Sequence, residues 1–449
     1  MIDPLEGMFT TPEMTAIFSA EAHVARMLQF EAALARAEAQ AGVIPPEAAD
    51  AIAAACHVEQ FNVAALFREA TTAGTPVIPL VRMLSEKIEG DPRKFVHWGA
   101  TSQDAIDTAL VLQMRDGLDL LIDGLLHVCA GCATLAEQHR RTPMAGRTLL
   151  QQALPIPFGL KAARWLALTV RQVEALRRCR DHTLALQFGG AAGTLAALGD
   201  NGMRVAELLA AALKLPLPDL PWHAERDRIA TVAAALGVAA GAMSKIAHDI
   251  VLLMQTEVGE VSEAAAPGKG GSSAMPQKRN PVDAMEAQAA ARLAVGAVAV
   301  ILNAMANEHE RAVGGWQAEW IAIPNLFRSV AGAVARVGSA VNGLEIDTER
   351  MRANLDQSGG LLMAESVTMA LAQLVGRPAA QHIVKAAAAR VASDKVTFQQ
   401  ALRNDPAVRG VLSEDAIDHA LDPAAYFGSS DMLIDRALAA YQARQQEHR

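Results

Sequence analysis

The sequence predicts an all-α protein built around long helices, and three observations carry that reading. Hydrophobic residues make up 51% of the 449-residue chain while aromatics are only 4%. Alanine supplies much of that apolar content, and it is the strongest helix former, whereas strands want β-branched and aromatic side chains. Long stretches repeat apolar residues at alternating threes and fours, a period near 3.5 that marks the seam of a helix bundle. Glycine and proline interrupt the first hundred residues and recur near the end, which sets short helices apart from long ones.

Gly42, Pro45, Pro46, Gly74, Pro76, Pro79, Gly90 and Pro92 break the first part of the chain, so residues 1–102 are expected to form an N-terminal cap of short helices. The first long helix is expected from Asp104 to Glu137, with its seam through Ile106, Leu110, Met114, Leu118, Leu121, Leu125, Val128, Cys132 and Leu135. An apolar block at Leu160 to Ala175 gives a second. A third starts at Ile229 and runs through Val232, Leu236, Ala239, Met243, Ile246, Ile250 and Leu253. A fourth spans Val282 to Ala306, through Met285, Ala289, Leu293, Ala297 and Val300, and Leu326 to Val341 supplies a fifth. These helices define a central bundle over residues 103–345. Charge density rises at DTERMRANLDQSGG from Asp347, and Pro406, Gly410 and Pro423 punctuate the rest of the chain, so residues 346–449 are expected to form a second helical cap. There is no internal repeat. Apolar seams on helices this long leave faces that one chain cannot cover, which points to an oligomer.

The formal charge of −9 and the lack of a long basic run argue against nucleic acid as the main partner. An anionic substrate then needs a local cationic pocket. The longest charge-free runs, such as Ile229 to Ser244, fall short of the ~20 apolar residues of a membrane span, so no membrane association is expected. The start, MIDPLEGMFTTPEM, carries no basic region followed by an apolar block, and a cytoplasmic location is expected. Cys129 and Cys132 have CxxC spacing but lie inside an apolar helical stretch, where packing explains them better than redox or metal work. With Cys56 and Cys179 they fit a reducing compartment. No cofactor is expected: there is no strand-coupled GxGxxG and no HExxH, and the twelve histidines are scattered without ligand spacing, so no metal is expected either.

Three polar clusters carry the chemistry. In GSSAMPQKRNP, Gly271 to Pro281, with Gly268 and Gly270 before it, glycines free the backbone and Pro276 and Pro281 break any helix, so the segment reads as a catalytic loop. Ser272 or Ser273 can exchange a proton, and Lys278 can face a developing negative charge. The run is not a phosphate loop, because Gly268-Lys269 lacks the spaced glycine and following Ser or Thr of a Walker A motif. HWGATSQDAIDTA, His97 to Ala109, opens the first long helix, where Thr101 and Ser102 can cap free N–H groups or help the helix end hold an anion. His97 alone reads more readily as a packed histidine than as a catalyst. The third cluster is GRTLLQQALP, Gly146 to Pro155.

The first of these clusters resembles the signature of the fumarase/aspartase superfamily, GSSxMPxKxNP, at every fixed position. The His97 run resembles the superfamily's first patch, which binds substrate carboxylate, and GRTLLQQALP resembles its second, GRTHxQxA, except that Leu149 replaces the histidine. The resemblance implies a three-part helical subunit whose central helices pack with those of three others, giving a homotetramer with shared active sites. It implies Ser272 as the proton-transferring residue, Lys278 as partner of an enediolate and Asn280 as an orienting residue. It implies substrate contacts from Thr101, Ser102, Arg147, Thr148, Gln151, Ser273, Met275, His309, Arg311 and Trp316.

Leu149 narrows the reaction. An amine or hydroxide leaves only with proton assistance, whereas a carboxylate, with a pKa of about 4, does not need it. A leucine can move no proton. The loss therefore favours the superfamily branch in which a carboxylate of the small tricarboxylate 3-carboxy-cis,cis-muconate adds to its own double bond to form a lactone. TTAGTPVIPLVRML, Thr71 to Leu84, and NEHERAVGGWQAEW, Asn307 to Trp320, resemble that branch. The competing expectation is an adenylosuccinate- or argininosuccinate-type lyase that releases fumarate. A relative that kept the fold and lost activity is disfavoured by the intact Ser272, Lys278 and Asn280 set.

Overall fold

The structure is a computed structural model and describes residues 4–272 and 274–446. The five apolar blocks fold as the helices Ser102–Gln138, Phe158–Arg178, Asp227–Met254, Val282–Asn303 and Gly315–Asn342. The chain forms two compact units, Met1–Leu125 with Gln172–Ser244 and Glu286–Ala335, and Leu126–Arg171 with Lys245–Met285 and Arg336–Arg449.

In the first unit the Ala20–Gln40 helix starts at Ser19, whose hydroxyl accepts the Ala22 N–H at 3.1 Å. It buries Met27, Leu28, Phe30 and Leu34 and packs against Pro46–Ala55 and Gly202–Leu213. Each such side chain stabilises by roughly 1.5–3 kcal/mol when fully buried. The expected seam residues Ile106, Leu110, Met114, Leu118, Val232, Leu236 and Met243 are all buried. Gly117 lies under the Phe18 and Phe327 rings, and a Cβ there would sit 2.8 Å from Phe327.

The Val282–Asn303 helix departs from expectation. Met285, Leu293 and Val300, read as seam residues, are 56%, 55% and 46% exposed, and the helix buries Ala284, Ala287, Ala290, Ala294 and Ile301 instead. Small side chains let neighbouring backbones approach closely, so the larger ones face outward. The run-length argument against membrane spans does not hold. Tolerating one or two charges lengthens the apolar windows, and Ser102–Gln138, Asp227–Met254 and Val282–Asn303 are each long and apolar enough to cross a membrane. In the fold, 50%, 56% and 33% of those windows are buried against protein.

The second unit holds the strands that an alanine-rich composition hides. Pro143–Thr148 pairs antiparallel with Gln151–Pro157, and the Thr348–Asp356 helix packs against the first of them. A second small pair joins Val261–Glu263 to Leu344–Ile346. The C-terminal helices close round Val367, Leu371, Val384, Phe398, Leu402 and Ile417. Cys129 and Cys132 are free and fully buried, and burial pushes the Cys129 thiol up to about 12, as packing residues require.

Candidate active site

In the first unit, the start of the Ser102–Gln138 helix is organised by Asp104. Its carboxylate accepts the Thr101 N–H at 3.0 Å, the Gly189 and Gly190 N–H groups at 3.0 and 2.9 Å, and lies 2.8 Å from His223 Nε2. Thr101 and Ser102 were expected to cap the helix. Asp104 instead reaches back to the Thr101 N–H, as the acidic partner of a capping box does, and the Thr101 hydroxyl is left to accept from Arg311 Nη1 at 2.9 Å. The other Arg311 Nη donates to the Ala191 carbonyl. Both acceptors are neutral, so the guanidinium stands beside a helix N-terminus with no hydrogen-bonded carboxylate among the described residues. That combination suits an anion. Gly190 is required in this loop: its φ is +71°, and a Cβ would lie 2.9 Å from the Gly99 carbonyl.

One turn further along, Asp107 forms a fully buried network. Arg226 Nη1 and Nη2 bind its carboxylate at 2.7 and 3.1 Å, and Arg226 Nε also donates to Glu319 at 3.1 Å. All three side chains are 0% exposed. Burial opposes the Arg226 charge, but Asp107 and Glu319 more than offset that and hold its pKa up. Burial also raises the Glu319 pKa, against the pull of Arg226. Trp316 is buried, and its indole N–H donates to Asp107 at 2.9 Å, which makes it a brace for this network rather than an open ligand contact. His309 is exposed with φ +48° in the neighbouring loop, where the Glu308 carboxylate accepts the Val313 N–H. His97, also left-handed at φ +58°, is packed 2.6 Å from the buried Glu31.

In the second unit, Arg147 was expected to bind substrate. Its guanidinium instead makes a two-pronged pair with Glu260, at 2.9 and 2.7 Å, and Glu260 is 0% exposed. Asn354 donates to the same carboxylate at 2.8 Å. Arg147 thus ties the hairpin to the rest of its unit, and its charge is already matched. Thr148 and Gln151 face each other at the exposed tip, with Leu149 and Leu150 between them. Both leucines have positive φ, +52° and +63°, and are 96% and 79% exposed. Such a two-residue turn favours Asn-Gly, so Leu-Leu carries both backbone strain and exposed apolar surface.

The signature loop runs between Val261–Glu263 and Val282–Asn303. Its base is pinned at the buried Asp283, which takes Lys269 Nζ at 2.6 Å, Ser339 Oγ at 2.6 Å and Arg336 Nη1 at 3.2 Å. Glu263 accepts the Asp283 and Ala284 N–H groups that start the helix. Asn280 joins the two sides of the loop, its N–H donating to the Gly270 carbonyl at 2.9 Å and its side chain to that of Gly271 at 3.4 Å. Ser272 Oγ accepts the Met275 N–H at 3.1 Å and the Ala274 N–H at 3.4 Å. Two N–H dipoles on one hydroxyl oxygen stabilise its alkoxide, so this serine is equipped to give up a proton. Met275 and Lys278 are exposed on the same loop, and Ser273 lies outside the described residues.

Sequence reading missed Arg226, Glu319, Glu260, Lys269 and Asp283. Each acts through a partner distant along the chain, and no spacing marks such a pair.

A lyase family model matches residues 7–296, and a model of the adenylosuccinate lyase C-terminus matches residues 360–437. The chain is 48% identical to the 3-carboxy-cis,cis-muconate cycloisomerase of Bradyrhizobium diazoefficiens, covering 97% of each. It is 45% identical to that of Pseudomonas aeruginosa, covering 98% of this chain and 96% of the relative. Among solved structures it resembles the 3-carboxy-cis,cis-muconate lactonizing enzyme of Pseudomonas putida, with a TM-score of 0.93 and 43% identity over 98% of this chain and 99% of that one.

Proposed function

The chain belongs to the fumarase/aspartase superfamily of lyases, and on that premise we propose that it is a 3-carboxy-cis,cis-muconate cycloisomerase, an intramolecular lyase that forms 4-carboxymuconolactone. The observation that carries the reading is Leu149, which stands at the exposed hairpin tip where the superfamily pattern has a proton-moving histidine, in a chain matched over its whole length by relatives of that name.

In the reaction a distal carboxylate attacks the carbon bearing the 3-carboxyl group. The new C–O bond forms as the double-bond electrons move onto the adjacent carbon and its carboxylate, giving an enediolate. A proton delivered to that carbon completes the lactone, and no atom is lost. Ser272 supplies the proton. The Ala274 and Met275 N–H groups stabilise the alkoxide it leaves, and run backwards the same oxygen is the base. Lys278 faces the enediolate, the charge whose stabilisation contributes most. Arg311, Thr101 and Ser102 hold a substrate carboxylate at the helix N-terminus. Thr148, Gln151, Ser273, Met275 and His309 complete the substrate contacts. Trp316 and Arg147 act indirectly, through Asp107 and Glu260.

We further propose a cytoplasmic homotetramer with shared active sites, no nucleic acid or membrane partner, no cofactor, and a functional division into 1–102, 103–345 and 346–449. The outward Met285, Leu293, Val295, Val300 and Leu302 on one helix support the assembly. Dilution to monomers should abolish turnover, and a fully active monomer in light scattering would refute the shared sites.

The test of the reaction is ultraviolet absorbance of 3-carboxy-cis,cis-muconate with purified protein. Loss of the conjugated diene with lactone formed supports the assignment. No loss, together with fumarate release from adenylosuccinate or argininosuccinate, would replace it with an amine lyase.

A further inference from the structure

A cavity of about 570 Å³ lies within the first unit, between the Ala20–Gln40 helix, the segment 67–76 and the long helices Ser102–Gln138 and Gly315–Asn342. Its size is that of a small-molecule site. Phe18, Phe67, Ile106, Leu110 and Pro324 make the wall mainly apolar, and part of it is the Thr71 to Pro76 stretch that the catalytic reading leaves unused. Thr101, Ser102 and Arg311 do not line it.

The polar side chains in the wall, among them Ser19, Thr75, Gln113 and Asn325, are mostly neutral. Among the described residues Arg328 is the one Lys or Arg side chain lining it, and no Asp or Glu joins it. Its hydrogen bonds run to neutral acceptors, the Phe18 carbonyl at 2.7 Å and Asn325 Oδ1 at 3.4 Å, and among the described residues it has no ion-pair partner. Burial depresses its pKa, and the charge of Glu6, which lines a neighbouring groove with Arg328, opposes that. A partly buried cation that makes no ion pair carries a desolvation cost, and a carboxylate beside it offsets that cost. His23 supplies a second handle. The Gln113 side-chain amide donates to the Ile17 carbonyl, which turns its oxygen toward His23 Nδ1 at 2.8 Å. Nδ1 therefore carries the proton, and burial lowers the His23 pKa, so the neutral ring keeps Nε2 as an acceptor.

We propose that this cavity is a second binding site, for a small organic acid with one carboxylate and an apolar, aromatic-sized body. The carboxylate pairs with Arg328, and the body lies against Phe18, Phe67 and Leu110. A hydroxyl on the ligand can donate to His23. The tricarboxylate substrate does not fit this chemistry, because two of its three charges would face apolar walls. The inference is independent of the reaction assigned above.

Benzoate is the probe, with benzamide as its neutral isostere, measured by calorimetry on the intact protein. One benzoate per chain is expected to bind, at least tenfold tighter than benzamide. Arg328→Met should erase that preference. Thr71→Trp, at the exposed rim, should plug the cavity and abolish binding without disturbing Arg328, and saturating tricarboxylate should not displace the ligand. No benzoate heat at millimolar concentration would overturn the proposal, including the case in which a second copy of the chain fills the cavity. So would equal binding of benzamide, binding unchanged in both variants, or displacement by the tricarboxylate.

Discussion

Replacing Arg226 by methionine should be among the most damaging single changes outside the signature loop. The guanidinium is 0% exposed and sits between two carboxylates that are also 0% exposed. With methionine, Asp107 keeps the Trp316 and Gln103 donors, at 2.9 and 3.0 Å, while Glu319 loses both of its bonds to Arg226. Removing one partner from a buried ion pair costs about 3–5 kcal/mol. Here one cation serves two anions, so the upper half of that range is expected at pH 7.5. Glu319 can relieve the strain by taking a proton. Its folded-state pKa is already raised by burial, and loss of Arg226 raises it further. A carboxyl raised in the folded state contributes stability that is present below the unfolded value, about 4.3, and is lost as pH rises through the folded value. The deficit of the variant should therefore shrink by about 1–1.4 kcal/mol per pH unit as pH falls from 7.5 towards 5.5. Urea unfolding followed by circular dichroism at both pH values measures this. A variant within about 1 kcal/mol of the wild type at pH 7.5, or a larger deficit with no pH dependence, would refute the reasoning.

Ser272→Ala should reduce turnover by about a hundredfold to ten-thousandfold while ligand still binds, measured by diene absorbance and calorimetry. If Ser273→Ala is the lethal change instead, the proton carrier is the other hydroxyl. Glu38 is buried, and burial with the nearby Glu31 pushes its pKa up to about 9. The stability it lends as a neutral acid is full below the unfolded value of about 4.3 and falls steadily until pH passes the folded value, so the wild type should lose melting temperature relative to Glu38→Gln between about pH 5 and 9 and run level with it above that. Parallel melting curves would sink that idea. Changing Leu149 and Leu150 together to Asn and Gly should relieve about 1–2 kcal/mol of left-handed strain per position. The thermal midpoint should rise, and an unchanged or lower midpoint would show that the leucines gain contacts elsewhere.

The long helices were legible because their periodicity is carried by residues close in sequence: Ile106 to Leu121 and Val232 to Met243 sit on the seam as read. The Val282–Asn303 helix misled because alanine and the larger apolar residues both repeat along it, and periodicity alone cannot say which face meets the rest of the chain. The hairpin was hidden for a local reason. Leu149-Leu150 is among the poorer choices for a two-residue turn, so the usual Asn-Gly or Asp-Gly signal was missing. At the candidate site, Ser272, Lys278, Thr101 and Arg311 were visible as residue types in a motif. Their partners were not: Asp104 on the Thr101 N–H, the Ala191 carbonyl on Arg311 and the loop N–H groups on Ser272.

That difference changes which cations can serve a tricarboxylate. Arg147 looked equivalent to Arg311 in sequence, each an arginine in a polar cluster. A guanidinium already forked onto a fully buried carboxylate offers a ligand almost no net charge, and detaching it would leave Glu260 unpaired. Among the described residues Arg311 donates only to a hydroxyl and a carbonyl, and both give way to a carboxylate without stranding a charge. Arg147→Lys should therefore act chiefly on stability, since lysine cannot reproduce the fork. Arg311→Lys should act chiefly on KM. The reverse pattern, a large KM effect at 147 with stability unchanged, would mean that Glu260 releases its arginine when substrate arrives.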